Sequence, residues 1–517
     1  MLAIPSPPSS FEALLPDETA TREFADAIAS FLAPGDTVAL TGDLGAGKST
    51  FARAVIRCLA GDERLEVPSP TFSLLQIYEL PPFPVVHIDL YRVEKAEELA
   101  ELGWPELADG AVTLIEWPQR AGDLLPEDRL DVALSLAPEL GPDHRRLQIT
   151  ARGPVAERGG PFFSFRRFLQ DAGYGDAQRT PMQGDASTRT YQRLTRGDHT
   201  AILMKAPRRP DGPPVRDGRS YSAIAHLAED VTPFVAMTRA LRERGLSAPQ
   251  IHAADLAEGW LILEDLGAEP VFAGDPPVAI AERYAAAVDA LLALHRQRLP
   301  DVLPVAPRVT YRMPSYDIDA LLIEVELLLQ WYFPHEGREI SENMRTTFTG
   351  LWREALAAAV EAPPTWVLRD YHSPNLLWLP EREGAARVGI LDFQDALMGP
   401  AAYDVVSLLQ DARVEVPEVV EDDLFGRYSK GRRVTERDFD LGQFVALYAL
   451  MGAQRATKIL GIFARLHTRD GKPQYLRHQP RVWRNLRRSL SHPKLAELKA
   501  WYDANMPGPR GGRSERR

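Results

Sequence analysis

The chain has 517 residues, of which 45% are hydrophobic and 26% are charged, as in ordinary folded globular proteins. At roughly 150 residues per domain, this length corresponds to about three compact units. The balance of 60 Lys and Arg against 72 Asp and Glu gives a net charge of −12, which excludes a global basic field for nucleic acid or an anionic membrane. The single cysteine, Cys58, excludes an internal disulfide and a cysteine-based zinc site.

The same features predict a cytoplasmic location. One cysteine in so long a chain fits a reducing compartment. Residues 1–10 are rich in Pro and Ser and lack the apolar core of a signal peptide. The longest apolar run, 321–333, contains Glu324 and Glu326 and is too short to cross a bilayer, so we expect no membrane association.

The first segment, 11–153, alternates helix-like and strand-like patterns. Apolar residues at helical spacing predict a helix over 19–32, and a second helix is predicted over 51–59. Short β-type runs predict the strands 37–40, 85–88, 112–115, 130–136 and 146–151. Strands that alternate with helices predict an α/β unit with a mainly parallel sheet.

A phosphate-binding loop lies between the first predicted strand and the helix that follows it. The nine residues fit the pattern G-x-x-x-x-G-K-[ST]: Gly42, Asp43, Leu44, Gly45, Ala46, Gly47, Lys48, Ser49 and Thr50. Glycines let successive backbone N–H groups surround phosphate oxygens at the helix N-terminus. In this pattern Lys48 reaches the β- and γ-phosphates of ATP, and the Ser49 hydroxyl is a ligand of Mg²⁺.

Four further motifs narrow the type of ATPase: "VPSPTFSLLQIYE", "HIDLYRV", "EELAELGWPE" and "LIEWPQR" follow "GDLGAGKSTFARAV" at short spacings. Together they closely resemble the TsaE family, the ATPase subunit of the bacterial machinery that makes threonylcarbamoyladenosine in tRNA. The resemblance implies that Glu116 is the second Mg²⁺ ligand, that Asp89 organises the metal or the attacking water as a catalytic group beside Lys48, and that Thr71 lies on a switch-like loop. It also implies TsaB- and TsaD-type partner subunits, with tRNA contacted only indirectly.

The positions of Glu116 and Asp89 in the sequence also support these roles for the two carboxylates. Glu116 and Asp89 each follow a β-type run, where parallel sheets place ligand-binding groups. A hard cation that bridges phosphates needs one or two such side chains. Trp117 either stacks on a ligand or packs in the core, and the sequence does not separate these alternatives.

Segment 154–161, "VAERGGP" preceded by Pro154, is rich in Gly, Pro and charge and shows no periodicity, which predicts a linker. A second unit is predicted over 162–505, with strands first and mostly helices after them. The residues 506–517 are basic and poor in hydrophobic side chains, which predicts a disordered tail.

The second unit carries a different set of phosphoryl-transfer residues. Asp370 and Asn375 show the D-x-x-x-x-N spacing, and Asp392 begins a D-F-x sequence after an apolar β-type run. This is the arrangement of a bilobal kinase fold, in which Asp370 takes the proton of the acceptor hydroxyl while Asn375 and Asp392 bind Mg²⁺. Three further elements precede these residues in the order that kinases have: Gly184 in a phosphate-covering turn, Lys205 for the α- and β-phosphates, and Glu264 at the adenine-binding hinge.

The pattern departs from that of protein kinases. Leu368 stands where protein kinases have the His of H-R-D, and Gln394 replaces the Gly of D-F-G. Within the aminoglycoside-phosphotransferase-like kinases, "GDASTRTY", "LRDYHSPNLLW" and "LDFQDALMGPAAYDVVSLLQDAR" resemble the anomeric sugar kinases (AmgK type) of cell-wall recycling. That resemblance covers roughly 162–500 and implies phosphorylation of N-acetylmuramate and N-acetylglucosamine at the anomeric hydroxyl. Glu229 and Glu243 remain alternatives for the glutamate that pairs with Lys205.

The sequence therefore predicts a fusion of two ATP- and Mg²⁺-using modules. Two alternatives remain open. In one, a nucleotide-sensing P-loop domain regulates a kinase for aminoglycosides or another small molecule. In the other, the chain is a scaffold whose kinase-like module is non-catalytic. Against this alternative stand four intact residues: Asp370, Asn375, Asp392 and Lys205.

Overall fold

The chain divides into two compact units, one ending at Gln178 and one beginning at Arg179. The structure, a computed structural model, describes residues 10–93, 104–182 and 189–506. Over these ranges no helix combines the length and the apolar character that crossing a membrane requires.

A seven-stranded sheet forms the centre of the first unit. Its strands are β1 (Ser10–Leu15), β2 (Thr37–Thr41), β3 (Leu75–Tyr78), β4 (Val85–Asp89), β5 (Val112–Glu116), β6 (Leu130–Leu136) and β7 (Arg145–Ala151). Their spatial order is β1-β7-β6-β2-β5-β4-β3. The central strands β6, β2, β5 and β4 are mutually parallel, as predicted, while β1, β7 and β3 add antiparallel pairs, so that the sheet is mixed. The outer strands β1 and β3 were not predicted.

Within the described part of the first unit, four helices accompany this sheet: α1 (Glu18–Ala29), α2 (Lys48–Ala60), α3 (Trp104–Ala108) and α4 (Pro154–Asp171). Helix α1 begins where the Asp17 carboxylate accepts a hydrogen bond from Ala20 N at 2.8 Å. Helix α2 starts at Lys48, within the P-loop pattern, and is followed by Gly61, whose φ of 64° is the left-handed conformation common after helices. The buried faces of α1 and α2 pack on the sheet with a core that includes Phe24, Ile28 and Phe51.

The predicted linker 154–161 is wrong, because these residues form the first half of α4 and belong to the first unit. Pro154 occupies the first helical turn, where its missing N–H costs nothing. A Cβ on Gly159 would lie 3.0 Å from the Phe31 ring, so this glycine serves close packing rather than flexibility. The next turn places Phe162 5.5 Å from the ring of Phe24. The second unit therefore begins near residue 178, not at 162.

The second unit opens with a five-stranded sheet of spatial order β13-β14-β10-β9-β8. Its strands and the small hairpins between them are β8 (Gln178–Met182), β9 (Thr190–Arg196), β10 (His199–Lys205), β11 (Pro214–Arg216), β12 (Arg219–Ser220), β13 (Ile251–Asp255), β14 (Trp260–Glu264), β15 (Phe272–Ala273) and β16 (Val278–Ala279). The helices of this part are α5 (Tyr221–Ile224), α6 (Thr232–Glu243) and α7 (Ala281–His295). Strands β11 and β12 pair with each other as an antiparallel hairpin.

The rest of the unit is mainly helical. Its strands are β17 (Val302–Ala306), β18 (Val309–Arg312), β19 (Pro364–Val367), β20 (Leu376–Trp378), β21 (Val388–Ile390) and β22 (Leu397–Pro400). Its helices are α8 (Ile318–Val325), α9 (Phe333–His335), α10 (Glu342–Val360), α11 (Ala402–Leu409), α12 (Glu418–Thr435), α13 (Leu441–Thr468), α14 (Gln479–Leu490) and α15 (Ala496–Asn505). A strand-rich part followed by a helical part is the predicted kinase-like architecture. Of the predicted tail, 507–517 lies outside the described residues.

Candidate functional sites

The P-loop backbone depends on two glycines. At Gly42, φ is +143° and a Cβ would lie 2.2 Å from the carbonyl oxygen of Leu134, so no side chain fits there. Gly47, with φ of 108°, turns the chain into the first residue of α2. The loop therefore presents its N–H groups at the N-terminus of α2, where the helix dipole favours an anion.

Lys48 is buried and is held by the loop itself. Its Nζ donates to the carbonyl oxygens of Gly42 at 2.8 Å and Asp43 at 2.9 Å. The ammonium also lies 3.8 Å from the centre of the Trp117 ring, so that Trp117 packs on a cation. Burial lowers the pKa of Lys48, and the carboxylate of Glu116 is the largest influence that opposes this shift.

The carboxylate of Glu116 ends β5 and is fixed on both oxygens. Oε2 accepts a hydrogen bond from Ser49 Oγ at 2.8 Å, and Oε1 lies 3.1 Å from His87 Nε2. Two neighbouring ligands of an octahedral Mg²⁺, each at about 2.0–2.1 Å, lie about 2.9 Å apart. The spacing of the Ser49 and Glu116 oxygens therefore fits an edge of a magnesium coordination sphere.

Asp89 ends β4, the parallel neighbour of β5, and pairs in register with Glu116. Its Oδ2 accepts hydrogen bonds from Thr71 Oγ1 at 2.8 Å and Ser69 Oγ at 3.1 Å. Its Oδ1 accepts a hydrogen bond from the backbone N–H of Tyr91 at 3.0 Å. The segment that contains Ser69 and Thr71 is thus tied to the carboxylate at the end of β4.

These groups surround one cavity of about 290 Å³. Its lining comprises Leu44, Gly45, Gly47, Lys48, Ser49, Thr50, Ser69, Thr71, Asp89, Tyr91, Glu116 and Trp117. The structure thus brings together the predicted residues Lys48, Ser49, Thr71, Asp89 and Glu116. Sequence reasoning missed Ser69, Tyr91 and the buried His87, of which only His87 stands out in the sequence, as a polar residue within an apolar strand.

In the second unit, the segment that contains Asp370 lies between β19 and β20, and hydrogen bonds to a buried carboxylate hold its backbone in place. The backbone N–H groups of Leu368 and Arg369 donate to the Asp404 carboxylate at 2.6 Å and 3.0 Å. Arg369 has φ of 67°, a strained conformation that this clamp and its own buried side chain hold in place. Burial raises the pKa of Asp404 to about 7, and the two N–H groups act against that shift. Sequence reasoning did not assign Asp404 this role.

The side chain of Asn375 is hydrogen-bonded to the backbone of Asp370. Asn375 Nδ2 donates to the Asp370 carbonyl oxygen at 3.0 Å, which leaves the amide oxygen of Asn375 for another partner. The Asp370 side chain is about one third exposed, and His372 Nε2 lies 3.8 Å from its Oδ1. Burial and nearby cations, of which Arg413 is the largest, hold the pKa of His372 well below its usual range, so that His372 is neutral. This agrees with a structural role for His372.

Asp392 receives two side-chain donors on one oxygen. Arg189 Nη1 and Gln394 Nε2 both donate to Oδ1, at 2.8 Å and 2.9 Å. Burial raises the pKa of Asp392, the Asp370 carboxylate adds to the rise, and the Arg189 guanidinium opposes it. The Gln that replaces Gly in the D-F-x sequence thus orients the Asp392 carboxylate. Sequence reasoning missed Arg189, which directly follows the predicted phosphate-covering turn.

Lys205 ends β10, where it pairs in register with Thr190 and Trp260. Burial and the neighbouring Arg179 lower its pKa. Of the two alternatives for its acidic partner, Glu229 forms an ion pair with Arg208 at 3.3 Å, and Glu243 lies 3.9 Å from Arg244.

Glu264 ends β14, and its side chain is bound to Arg242 and Arg382. The carboxylate therefore holds the end of this strand in place, and adenine contact through the backbone stays a prediction. Gly184 lies outside the described residues.

Comparison with known proteins gives the same division of the chain. Residues 15–145 match the model of the threonylcarbamoyl adenosine biosynthesis protein TsaE, and residues 178–439 match the phosphotransferase enzyme family. An N-acetylmuramate/N-acetylglucosamine kinase of Caulobacter vibrioides is 40% identical over 353 residues, which are 66% of this chain and 95% of that protein. The kinase of the same name from Pseudomonas aeruginosa is 35% identical over 63% of this chain and 89% of its own length.

The first unit has its own relatives. The tRNA threonylcarbamoyladenosine biosynthesis protein TsaE of Rickettsia bellii is 43% identical over 139 residues, which are 27% of this chain and 94% of that protein. Each relative is covered almost completely by a different part of the chain. The chain therefore belongs to the TsaE family in its first unit and to the phosphotransferase enzyme family in its second.

Proposed function

We propose that the chain is a bifunctional ATP-using enzyme. The second unit transfers a phosphoryl group from ATP to N-acetylmuramate or N-acetylglucosamine at the anomeric hydroxyl. The first unit is an ATPase that acts with TsaB- and TsaD-type subunits in threonylcarbamoylation of the tRNA adenosine next to the anticodon. The main support for the kinase proposal is that Asp370, Asn375 and Asp392 lie close together. The relatives that bear this kinase name support it as well.

In the kinase site, Asp370 accepts the proton of the sugar hydroxyl. At the same time the hydroxyl oxygen of the sugar attacks the γ-phosphorus of ATP, and ADP leaves. The lowered pKa of His372 makes it a weak proton acceptor, so that it does not compete with Asp370 for that proton. Lys205 balances charge on the α- and β-phosphates. Arg189, which binds Asp392, adds a second positive charge near the phosphates.

Magnesium fits both sites by the chemistry of the oxygen donors. In the kinase site these are the Asn375 amide oxygen and the second oxygen of Asp392, and in the P-loop site they are Ser49 and Glu116. When bound, the ion neutralises phosphate charge in the transferred group. Asp89, fixed by Thr71 and Ser69, is placed to orient the attacking water of the ATPase.

The kinase proposal is tested with the full chain, ATP and each sugar, with phosphorus NMR to identify the product. We expect a sugar 1-phosphate and no reaction with the 1-O-methyl glycosides, since these lack the anomeric hydroxyl. Phosphorylation of an aminoglycoside, with no turnover of either amino sugar, would contradict the proposal and favour the antibiotic-kinase alternative.

The ATPase proposal is tested by adding the full chain to TsaB- and TsaD-type subunits, ATP and unmodified tRNA. We expect threonylcarbamoyladenosine to form over many cycles only when the chain is present. A sugar kinase whose rate follows nucleotide occupancy of the P-loop, without support of tRNA modification, would instead identify the first unit as a regulatory domain.

A further inference from the structure

Glu324, one of the two acidic residues in the apolar run 321–333, lies on α8, and no part of its side chain is exposed. Its Oε1 accepts a hydrogen bond from Arg369 Nη2 and lies 2.7 Å from Lys458 Nζ. Its Oε2 accepts hydrogen bonds from the Tyr316 hydroxyl and, at 2.9 Å, from Gln454 Nε2. Each oxygen of this buried carboxylate is therefore held by two side chains.

Fold stability alone does not account for this charged cluster. Taking a carboxylate and its cations out of water costs free energy, and apolar side chains of similar size often serve stability equally well or better. Glu324 is nevertheless ionised. Burial acts to raise the pKa of Glu324, but Lys458 and Arg369 outweigh burial and hold that pKa well below its usual range. The charge therefore points to a role in the reaction.

The Arg369 side chain links this carboxylate to the catalytic base. Arg369 directly precedes Asp370 and has φ of 67°, a left-handed conformation that only surrounding contacts can maintain. Its backbone N–H is bound by Asp404. Its guanidinium is bound at both ends, since Nη1 donates to the carbonyl oxygen of Ala225 at 3.0 Å and Nη2 donates to Glu324. The residue before Asp370 is thus fixed at its backbone and at the tip of its side chain.

Lys458 joins these two supports. Its Nζ, which is paired with Glu324, also donates to the hydroxyl of Tyr403 at 3.3 Å. Tyr403 directly precedes Asp404 on α11, while Lys458 lies on α13. Helices α8, α11 and α13 therefore meet in one hydrogen-bonded network around Arg369.

We propose that Glu324 is a positioning residue for phosphoryl transfer, which acts through Arg369 to hold Asp370 within reach of the acceptor hydroxyl. This inference rests on the proposed kinase function, but it does not depend on which acceptor the enzyme uses. A general base works only within hydrogen-bond distance of the proton that it accepts. A displacement of about 1 Å can cost about 100-fold in rate. Loss of Glu324 should therefore lower kcat and leave ATP binding intact.

The first test is Glu324→Gln in the full chain, which removes the charge and keeps the shape of the side chain. With saturating acceptor, we expect kcat to fall by about 10- to 100-fold, while the KM for ATP and the Kd for ADP stay within about twofold. Glu324→Asp keeps the charge on a shorter side chain and should recover part of the lost kcat.

The matched control is Glu421→Gln, because Glu421 is a buried carboxylate with the same kinds of partner. It is bound by Arg488, by the Tyr448 hydroxyl at 2.8 Å and by Gln410 Nε2 at 3.2 Å, and none of these residues adjoins Asp370 in the chain. We expect Glu421→Gln to lower the melting temperature as Glu324→Gln does, but to keep kcat within about twofold of wild type.

A second variant separates positioning from folding, since Glu324→Gln leaves two cations buried without a carboxylate. The triple variant Glu324→Met, Arg369→Met, Lys458→Met replaces the whole cluster by apolar side chains, a change that is often neutral or stabilising. We expect this chain to unfold at or above the melting temperature of wild type and still to show the loss of kcat.

The outcomes separate this inference from the proposed function. A folded triple variant with the kcat of wild type would overturn the role of Glu324, and so would a raised KM for ATP with unchanged kcat in Glu324→Gln. An equal loss of kcat in Glu421→Gln would overturn it as well, because any buried carboxylate would then have the same effect. A wild-type chain that phosphorylates neither amino sugars nor aminoglycosides would overturn the kinase proposal itself.

Discussion

The two ATP sites of this chain differ in where their phosphate-binding groups lie in the sequence. In the proposed P-loop site, the phosphate contacts come from nine consecutive residues, and two carboxylates lie at neighbouring strand ends. The kinase site draws Arg189, Lys205, Asp370 and Asp392 from a span of about two hundred residues, with Asp404 beneath them. The first site is thus built mainly by local backbone conformation, and the second by tertiary packing.

The way the carboxylates are held differs as well. In the P-loop unit, the hydroxyl groups of Ser49 and Thr71 donate to Glu116 and Asp89, and His87 lies against Glu116. In the kinase unit, a cation contacts Asp392, and backbone N–H groups hold Asp404. A local loop is therefore sensitive to changes in its backbone, whereas a dispersed site is sensitive to loss of single side chains.

The largest expected effect is on the dispersed site. Asp370→Asn should lower sugar phosphorylation by about 10²–10⁴-fold, because the acceptor hydroxyl loses its general base. ATP affinity should stay nearly unchanged, and tRNA modification by the same chain is the control. Near-full sugar turnover in this variant would show that Asp370 is not the base.

Lys48→Ala should abolish support of tRNA modification while kinase turnover stays within a few-fold. The lysine ammonium is the cation of the local site, where Gly42, Asp43 and Trp117 hold it. Both activities are measured on the same preparation of full chain. Loss of the kinase together with the ATPase would contradict the independence of the two sites.

Backbone sensitivity is tested by Gly42→Ala, whose Cβ would meet Leu134 O at 2.2 Å. We expect the unfolding free energy of the first unit to fall by roughly 1–3 kcal/mol or more, from strain at positive φ and from the steric overlap. Gly35→Ala is the matched control, because Gly35 also has positive φ but open space around it. Equal destabilisation of the two variants would show that the contact with Leu134 is unimportant.

The smallest expected effect concerns nucleic acid. We expect the isolated chain to bind tRNA weakly, because phosphate neutralisation supplies most non-specific affinity and this chain has a net charge of −12. The basic stretch 481–488 is partly neutralised within the fold, since Arg481 and Arg484 bind Glu415 and Arg488 binds Glu421. A salt titration measures this. Sub-micromolar binding at physiological salt, lost on removal of the tail after residue 506, would show direct contact with tRNA.

The sequence alone predicted the features that depend on residues close together in the chain. The P-loop, the central parallel strands and the five-residue step from Asp370 to Asn375 were all predicted from local pattern. The clamp of Asp404 on the Leu368 and Arg369 N–H groups joins positions far apart in the chain, so no local pattern reveals it. Helix α4 was missed for a related reason, because Gly159 is explained only by the aromatic side chains of Phe31 and Phe163 that pack against it.

Helix α4 determines where the chain can be divided into two halves that each keep a complete core. A first half that stopped at residue 153 would lose Phe162 and Phe163 and expose Phe24 and Phe31, and each such ring contributes about 1.5–3 kcal/mol when buried. A kinase half that began at 162 would carry the apolar end of a helix whose partners remain in the other half. The suitable cut lies between the end of α4 at Asp171 and the start of β8 at Gln178, where protease cleavage should also release two folded pieces.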